Sequence, residues 1–500
     1  MEFSSLNFLL YFLPVFFLVY AITPKQLKNV TLIAGSTVFY ALGAPGNTLV
    51  LPVSMFVNYW IGRGLTRSAR VPSAEGRTAN AEGRTANAEG RKANAEGRTA
   101  NVEGQAPETV EGALRAEEQA GQKNGKAGGR DLLFVAAAIG NLAVLCHFKL
   151  WSGEIPLGLS FYTFQVLGYL ADVHYGEIPA EKNVIKYVTY LAMFPKLISG
   201  PITPYESLKG QMDHGKVAVG AFQDGLKTFV LGLAFKTLLA DRLGILWAEV
   251  GKTGYESVTW RYAWMGAVAY SMTLYFNFYG YSLMAVGLGK MTGFDLPENF
   301  RLPYLARSVR DFYRRWHVTL GLWFRKYVYI PLGGNRGGEG RTILNLLVVW
   351  LLTGFWHGVS VNFFLWGLAL WICIVAERLW GRLPFVKKLM ILPHLWLWFV
   401  IPITWMFFAI TDVSDLQTYL TRMFGIGNPV NVNPSDYLIA LKRHGAALVA
   451  GAVCCSGIVE AVFRKWKEKT WMNLLLAGIF WLCVWKILSA GSNPFMYLYF

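Results

Sequence analysis

Charge is scarce in this 500-residue chain: Asp, Glu, Lys and Arg together make up 16% of it, while 54% of the residues are hydrophobic and 15% aromatic. The apolar share exceeds the roughly 45–50% of an average soluble domain, which excludes an ordinary soluble protein. Cysteine is also rare. Cys146, Cys373, Cys454, Cys455 and Cys483 form no CxxC pair and stand at no metal-like spacing from histidine. A disulfide framework and a zinc site are thereby excluded, and buried free thiols are expected. No GxSxG elbow, Walker loop, HExxH pair or strand-to-helix GxGxxG is present, so serine-hydrolase, P-loop, zincin and dinucleotide chemistries have no foothold. The first apolar run, "LNFLLYFLPVFFLVYAI", lacks the basic leader and small-residue cleavage site of a secretory signal and reads as an uncleaved first span.

What is present is a succession of apolar runs, at about 6–22, 28–43, 46–62, 131–150, 155–172, 184–200, 222–247, 262–290, 342–357, 361–379, 391–411, 445–463 and 470–490. Several approach the roughly 20 residues an α-helix needs to cross hydrocarbon. The fold class is therefore all-α and polytopic, with the lipid bilayer as its first partner. Pro156, Gly158, Pro195, Gly200 and Pro201 interrupt the 155–202 region. Such broken backbone is tolerated at membrane depth only where protein or water surrounds it. The formal net charge of +16 would suggest nucleic acid in a soluble protein. Here the basic residues sit mostly between spans, where they mark the cytoplasmic side, and no nucleic-acid partner is expected.

Three regions follow: N-terminal transmembrane helices over 1–63, an insertion over 64–130, and a core over 131–500. The insertion carries the seven-residue repeat "AEGRTAN". A period of seven invites a coiled coil, but only Ala and Thr are available as knobs and each unit holds a glycine. A disordered, solvated loop without catalytic content is expected.

Residues 297–341 are neither a clean span nor a loop. Leu305, Val309, Phe312, Trp316, Leu320, Trp323 and Phe324 recur at helical spacing, with Arg307, Arg310, Arg314, Arg315, Arg325 and Lys326 between them. This predicts a basic amphipathic helical stretch. Two readings stand: an interfacial helix with snorkelling arginines, or a basic funnel for an anionic donor. "LGGNRGGEGR", which follows, lacks the GK[ST] ending of a nucleotide loop and reads as a turn.

Seven histidines are present. His214 lies in a polar loop, His444 follows a basic pair, and His147, His174 and His394 sit near span ends, where an interfacial role suffices. His317, in "RRWHVTL", and His357, in "FWHGV", lie within or at the end of apolar stretches. A lone histidine in a helix is more often structural, yet an ionisable group in a membrane is a functional hypothesis. A neutral imidazole suits base catalysis, and Gly358 permits close approach of a backbone or substrate.

At "PLGLSFYTFQVLGYLADVHYGE" (156–177), "FPKLISGPI" (194–202), the block 279–336 ending in "YIPLGGNR", "LLTGFWHGVSVNFFLWG" (351–367) and the final "NPFMYLYF", the chain resembles the membrane-bound O-acyltransferase family, in its alginate O-acetyltransferase-like bacterial subgroup. The resemblance implies a bundle of about 11–13 transmembrane and re-entrant helices around a central tunnel, set in the bacterial cytoplasmic membrane. It implies an acyltransferase, with acetyl as the expected group, acting on an extracellular polysaccharide. No bound cofactor or metal is implied; acetyl-CoA or another acyl thioester is the donor, and an extracytoplasmic acyltransferase is the expected partner.

By the same resemblance His357 matches the base and His317 an orienting second histidine. Arg315, Trp316, Asn335 and Trp356 match tunnel-lining positions, and Arg310, Arg314, Arg315 and Arg325 would attract donor phosphates. Tyr497, or Tyr499, matches a tail tyrosine proposed to take the acyl group; a membrane-interface anchor is the other reading. One departure stands out. Leu283 occupies the place where alginate-type members carry an aspartate in "GYSDMA", an absence shared with the teichoic acid D-alanyl transferase, so D-alanyl transfer stands as an alternative; peptidoglycan O-acetylation and a transporter or scaffold role are the further alternatives. Deletion of residues 74–101 is expected to leave acyl transfer intact; loss of transfer in a well-expressed deletion variant would overturn the reading of the insertion.

Overall fold

The computed structural model describes residues 1–43, 45–66, 128–152, 154–198, 200–213, 217–380, 392–427, 430–490 and 496. The repeat array lies outside them. Helices form in the order α1 (Leu13–Ile22), α2 (Lys28–Gly43), α3 (Val50–Gly64), α4 (Gly129–Leu150), α5 (Leu159–Tyr175), α6 (Val184–Ala192), α7 (Phe194–Leu197), α8 (Tyr205–Lys209), α9 (Val219–Ala234) and α10 (Asp241–Thr253). They continue with α11 (Trp260–Thr292), α12 (Val309–Arg315), α13 (Val318–Phe324), α14 (Gly338–His357), α15 (Val361–Trp380), α16 (Leu392–Ala409), α17 (Val413–Met423), α18 (Asp436–Cys455), α19 (Ile458–Trp466) and α20 (Thr470–Ala490).

Two helices form the interior. Of the 33 residues of α11, 24 are buried, and 15 of the 17 in α5; a helix buried on all sides is a central post rather than an amphipathic wall. Apolar side chains also cover the outside. Leu132 and Ile139 of α4 are 70% and 62% exposed, and Leu474 and Trp485 of α20 are 73% and 62% exposed. That inside-and-out apolarity is a lipid-facing surface. Among the described residues four helices (α4, α15, α18 and α20) are long and apolar enough by length and composition to cross a membrane. The other apolar runs are shorter, interrupted, or carry buried polar side chains, as α11 does with Ser271, Thr273, Asn277 and Ser282.

Lipid tails are as apolar as leucine, so helix association here depends on close packing. The α9–α11 contact supplies it through glycines in reciprocal pairs. A Cβ added at Gly225 would stand 2.6 Å from the Gly287 carbonyl oxygen, and one at Gly287 2.5 Å from that of Gly225. Gly232 and Gly280 repeat the arrangement at 2.5 and 2.6 Å. The seven-residue spacing on both helices locks their register. Leu283 lies in the same contact, where its Cβ would be 2.9 Å from a side chain at Gly232.

The interrupted 155–202 region forms α5, α6 and the four-residue α7, and side chains take up the backbone groups that the breaks release. Phe194 N–H donates to Ser36 Oγ at 2.9 Å, Ile202 N–H to Thr319 Oγ1 at 3.0 Å, and Tyr190 Oη to the Thr203 carbonyl at 2.9 Å. Lys196 in this motif is wholly buried, donating to Gln165 Oε1 at 2.6 Å and lying 3.9 Å over the Tyr190 ring.

The basic stretch departs from the continuous helix expected. It divides into α12 and α13 at His317, which takes a left-handed backbone (φ 46°), and then passes through a π-helical turn, Arg325–Tyr329. Pairing with the preceding loop causes the break: Phe300 bridges Trp316 antiparallel, Arg301 N–H donates to the Arg315 carbonyl at 2.9 Å, and Val318 N–H to that of Asn299 at 3.0 Å. The five cysteines are free. Gly232→Val should overpack the α9–α11 contact, costing about 1–3 kcal/mol; thermal unfolding of the detergent-solubilised protein should show a lowered midpoint, and an unchanged midpoint would contradict the close approach.

Candidate functional site

Helix α14 runs from the "GGEGR" turn to its last residue, His357, and Gly358 continues in extended conformation. Its glycines are consumed by packing against α15: a Cβ at Gly354 would meet the Phe363 carbonyl oxygen at 2.4 Å, and one at Gly358 the Phe363 ring at 2.2 Å. The close approach expected at Gly358 is thus made by a neighbouring ring. His357 is buried, its ring edge-on to Trp366 and to Phe408, each at 5.1 Å between centroids.

His317 arrives from the other direction, turned inward by the bridge between Phe300 and Trp316. Its ring lies 4.8 Å from Phe278 of α11 and 6.3 Å from Phe161 of α5. The two histidines flank one indole: Trp356 is 6.0 Å from His317 and 4.7 Å from His357. Phe164 stacks on the same indole at 5.6 Å and on Trp323 at 4.0 Å. Residues 40 apart in sequence therefore meet in a packed aromatic cluster drawn from α5, α11, α13, α14, α15 and α16. Within it, both His317 ring nitrogens and the indole N–H groups of Trp356, Trp366 and Trp405 are buried with no hydrogen-bond partner among the described residues. Buried polar atoms are rarely left so, and their gathering in one place gives a substrate carbonyl or hydroxyl several groups to engage. Trp316 joins the wall through Trp405, at 5.0 Å.

The arginines gather elsewhere. Arg310, Arg314 and Arg325 are exposed, and Arg310, Arg325 and Arg378 lie in electrostatic range of the Tyr329 phenol, which donates to Asn335 Oδ1 at 2.5 Å. Arg315 is set apart by its pairing with Asp311 at 3.1 Å. Arg378, which sequence reasoning passed over because it lies at the end of an apolar helix, grips Glu339 at the start of α14, with Nη2 to Oε2 at 3.0 Å. From Glu339 to His357 is 18 residues, about 27 Å at 1.5 Å per residue. The Arg378–Glu339 pair and His357 thus occupy opposite ends of one helix, whereas Arg310, Arg314 and Arg325 lie within eight residues of His317.

Tyr497 and Tyr499 lie outside the described residues. Met496, immediately before Tyr497, donates its backbone N–H to Oδ1 of the buried Asn277 at 3.2 Å and packs on the core. Asn277 adjoins Phe278, which touches His317. Of the other histidines, His444 departs from an interfacial role: it is buried and its Nε2 lies 2.9 Å from Glu249 Oε2. Among the described residues no three His, Cys, Asp or Glu side chains gather as a metal site.

Comparison with known proteins agrees with this architecture. The profile of the membrane-bound O-acyltransferase family matches residues 155–413, an interval that holds both histidines, the bridge and the arginine patch. A probable alginate O-acetylase of Pseudomonas aeruginosa is 34% identical over 430 residues, which is 85% of this chain and 75% of that protein. A peptidoglycan O-acetyltransferase of Helicobacter pylori is 31% identical over 322 residues, 57% of this chain and 60% of that protein. A teichoic acid D-alanyltransferase of Lacticaseibacillus rhamnosus is 30% identical over 280 residues, covering 51% and 67%. With more than half its length matched by the profile and so long an alignment above 30% identity, the chain belongs to the membrane-bound O-acyltransferase family.

Proposed function

We propose that this multi-pass O-acyltransferase moves an acetyl group from a cytoplasmic thioester, acetyl-CoA, toward a hydroxyl of an extracellular polysaccharide of the alginate-like or cell-wall type. The observation that carries the reading is the meeting of His317 and His357 about Trp356 in an aromatic cluster rich in buried N–H donors. In this mechanism a hydroxyl attacks the thioester carbonyl while His357 takes its proton. The new C–O bond forms, the C–S bond breaks, and the thiolate leaves with a proton returned by the imidazolium. His317 orients the reacting groups from the opposite face of the indole. Indole N–H groups supply hydrogen bonds to the oxyanion, whose charge is worth most in a dry site.

The donor's phosphates rest on Arg310, Arg314, Arg325 and Arg378, with Arg315 contributing less because Asp311 already holds it. The Met496–Asn277 contact supports Tyr497 as a first acceptor, since it ties the preceding residue to the helix that carries Phe278, a neighbour of His317. A second, extracytoplasmic acyltransferase then completes transfer to the polysaccharide. D-alanyl transfer is the second reading, favoured by Leu283 where an aspartate is expected.

Radiolabelled acetyl-CoA incubated with the purified protein should label Tyr497, with a loss of at least roughly 100-fold in His357→Ala. Equal labelling of both proteins removes His357 from the base role, as does no labelling of either while exopolysaccharide acetylation persists in cells carrying the variant. Labelling from a D-alanyl thioester and none from acetyl-CoA favours the second reading. For the basic patch, replacing Arg310, Arg314 and Arg325 with Gln should raise KM for acetyl-CoA several-fold at low salt, with kcat held. The difference should shrink as ionic strength rises. A fall in kcat at constant KM would place the patch outside donor binding.

A further inference from the structure

Helix α4 is peripheral: Ala137 and Leu145 are its buried residues, while Leu142, Val144 and Leu150 are 43%, 44% and 46% exposed. A lysine near the end of such a helix ordinarily lays its stem on apolar surface and carries its ammonium out to water. Lys149 does the opposite. Its Nζ donates to the carbonyl oxygen of Trp356 at 2.5 Å, across 207 positions of sequence.

That carbonyl belongs to the last turn of α14, where the final four C=O groups have no intrahelical partner and the negative end of the helix dipole is concentrated. Helices often close with a left-handed glycine that turns N–H groups back onto these carbonyls. Gly358 does not serve in this way, because its backbone is extended (φ −177°, ψ 164°). The ammonium of Lys149 meets the need from another helix.

We propose that Lys149 is a positioning residue of the acyl-transfer centre. By holding the Trp356 carbonyl it fixes the last turn of α14, and with it both the indole that separates the two histidines and the imidazole of His357. The inference rests on His357 being the base. Trp356 and His357 are consecutive, so one rotation of the terminal turn displaces both rings relative to His317. The rings around them limit side-chain rotation, since Trp366 and Phe408 bracket His357 and Phe164 stacks on Trp356. On the backbone, Gly358 N–H closes onto the Gly354 carbonyl at 3.0 Å, and the lysine adds a polar anchor from another helix at the Trp356 carbonyl.

Lys149→Met keeps the stem and removes the ammonium. Measured per mole of folded, monodisperse protein, kcat for acetyl transfer should fall by roughly 10- to 100-fold, the scale expected of a displacement near 1 Å. KM for acetyl-CoA should hold, because the arginines lie on α12, the π-helical turn and α15, whereas the Lys149 ammonium is bonded to the last turn of α14. Lys149→Arg, which can donate to the same carbonyl, should recover most of the loss, and added ethylammonium should raise the turnover of Lys149→Ala. A purely structural lysine would lower the yield of folded protein while leaving normalised kcat intact. The proposal falls if normalised kcat of Lys149→Met stays within about twofold of wild type, or if neither Arg nor ethylammonium restores a loss. His357→Ala in the same assay separates the two ideas. If it remains active, the base assignment fails and this inference with it; if it is inactive while Lys149→Met is not, only the role of the lysine fails.

Discussion

Two backbone hydrogen bonds, from Arg301 to the Arg315 carbonyl and from Val318 to that of Asn299, decide where the centre of this molecule lies. They join a loop to the junction of α12 and α13 and hold His317 in a left-handed conformation between them. For a residue other than glycine that conformation costs roughly 1–3 kcal/mol, though histidine is among the side chains found there more often than most. The strain is sustained by what surrounds it: Thr319 bonds Asn299 and accepts from Ile202, tying the same junction to the broken segment after α7. Without the bridge, α12 and α13 would run on as one helix and the His317 ring would leave Trp356.

The same logic governs the larger architecture. In hydrocarbon, apolar surface gives no reason for one helix to prefer another over lipid, so what distinguishes the interior is backbone proximity and polar satisfaction. The glycine pairs of α9 and α11 provide the first. Side-chain caps at Ser36 and Thr319 provide the second, and they fall where prolines and glycines have broken the helices, while Asn299 holds Thr319 at the junction of α12 and α13. Irregular backbone is thereby enclosed around α5 and α11, and regular helix is left to face lipid at α4 and α20.

Much of this was legible in the sequence. Hydropathy revealed an all-helical membrane protein, and the interruptions at Pro156, Pro195 and Pro201 marked the enclosed region. Motif resemblance singled out His317, His357 and Trp356, which the fold brings together. The division of the basic stretch was not legible. Its apolar spacing is helical on both sides of His317, and the break comes from pairing with residues 299–301, a tertiary interaction that periodicity cannot register. Arg378 and Lys149 were missed for a related reason. Each sits at the end of an apolar helix, where the ordinary expectation is a side chain drawn to the interface, and only the fold shows Glu339 or the Trp356 carbonyl waiting for it. His444 looked interfacial beside a basic pair, and its partner Glu249 comes from another helix altogether.

Helix α14 joins two anchored ends: the Arg378–Glu339 pair at its first turn and the Trp356–His357 dipeptide at its last, 18 residues apart, about 27 Å by the helix rise. Each end is held by a side chain from another helix, Arg378 at one and Lys149 at the other. Pinned at both ends, the helix behaves as a strut, and a displacement at its surface end is carried to the buried histidine at the other.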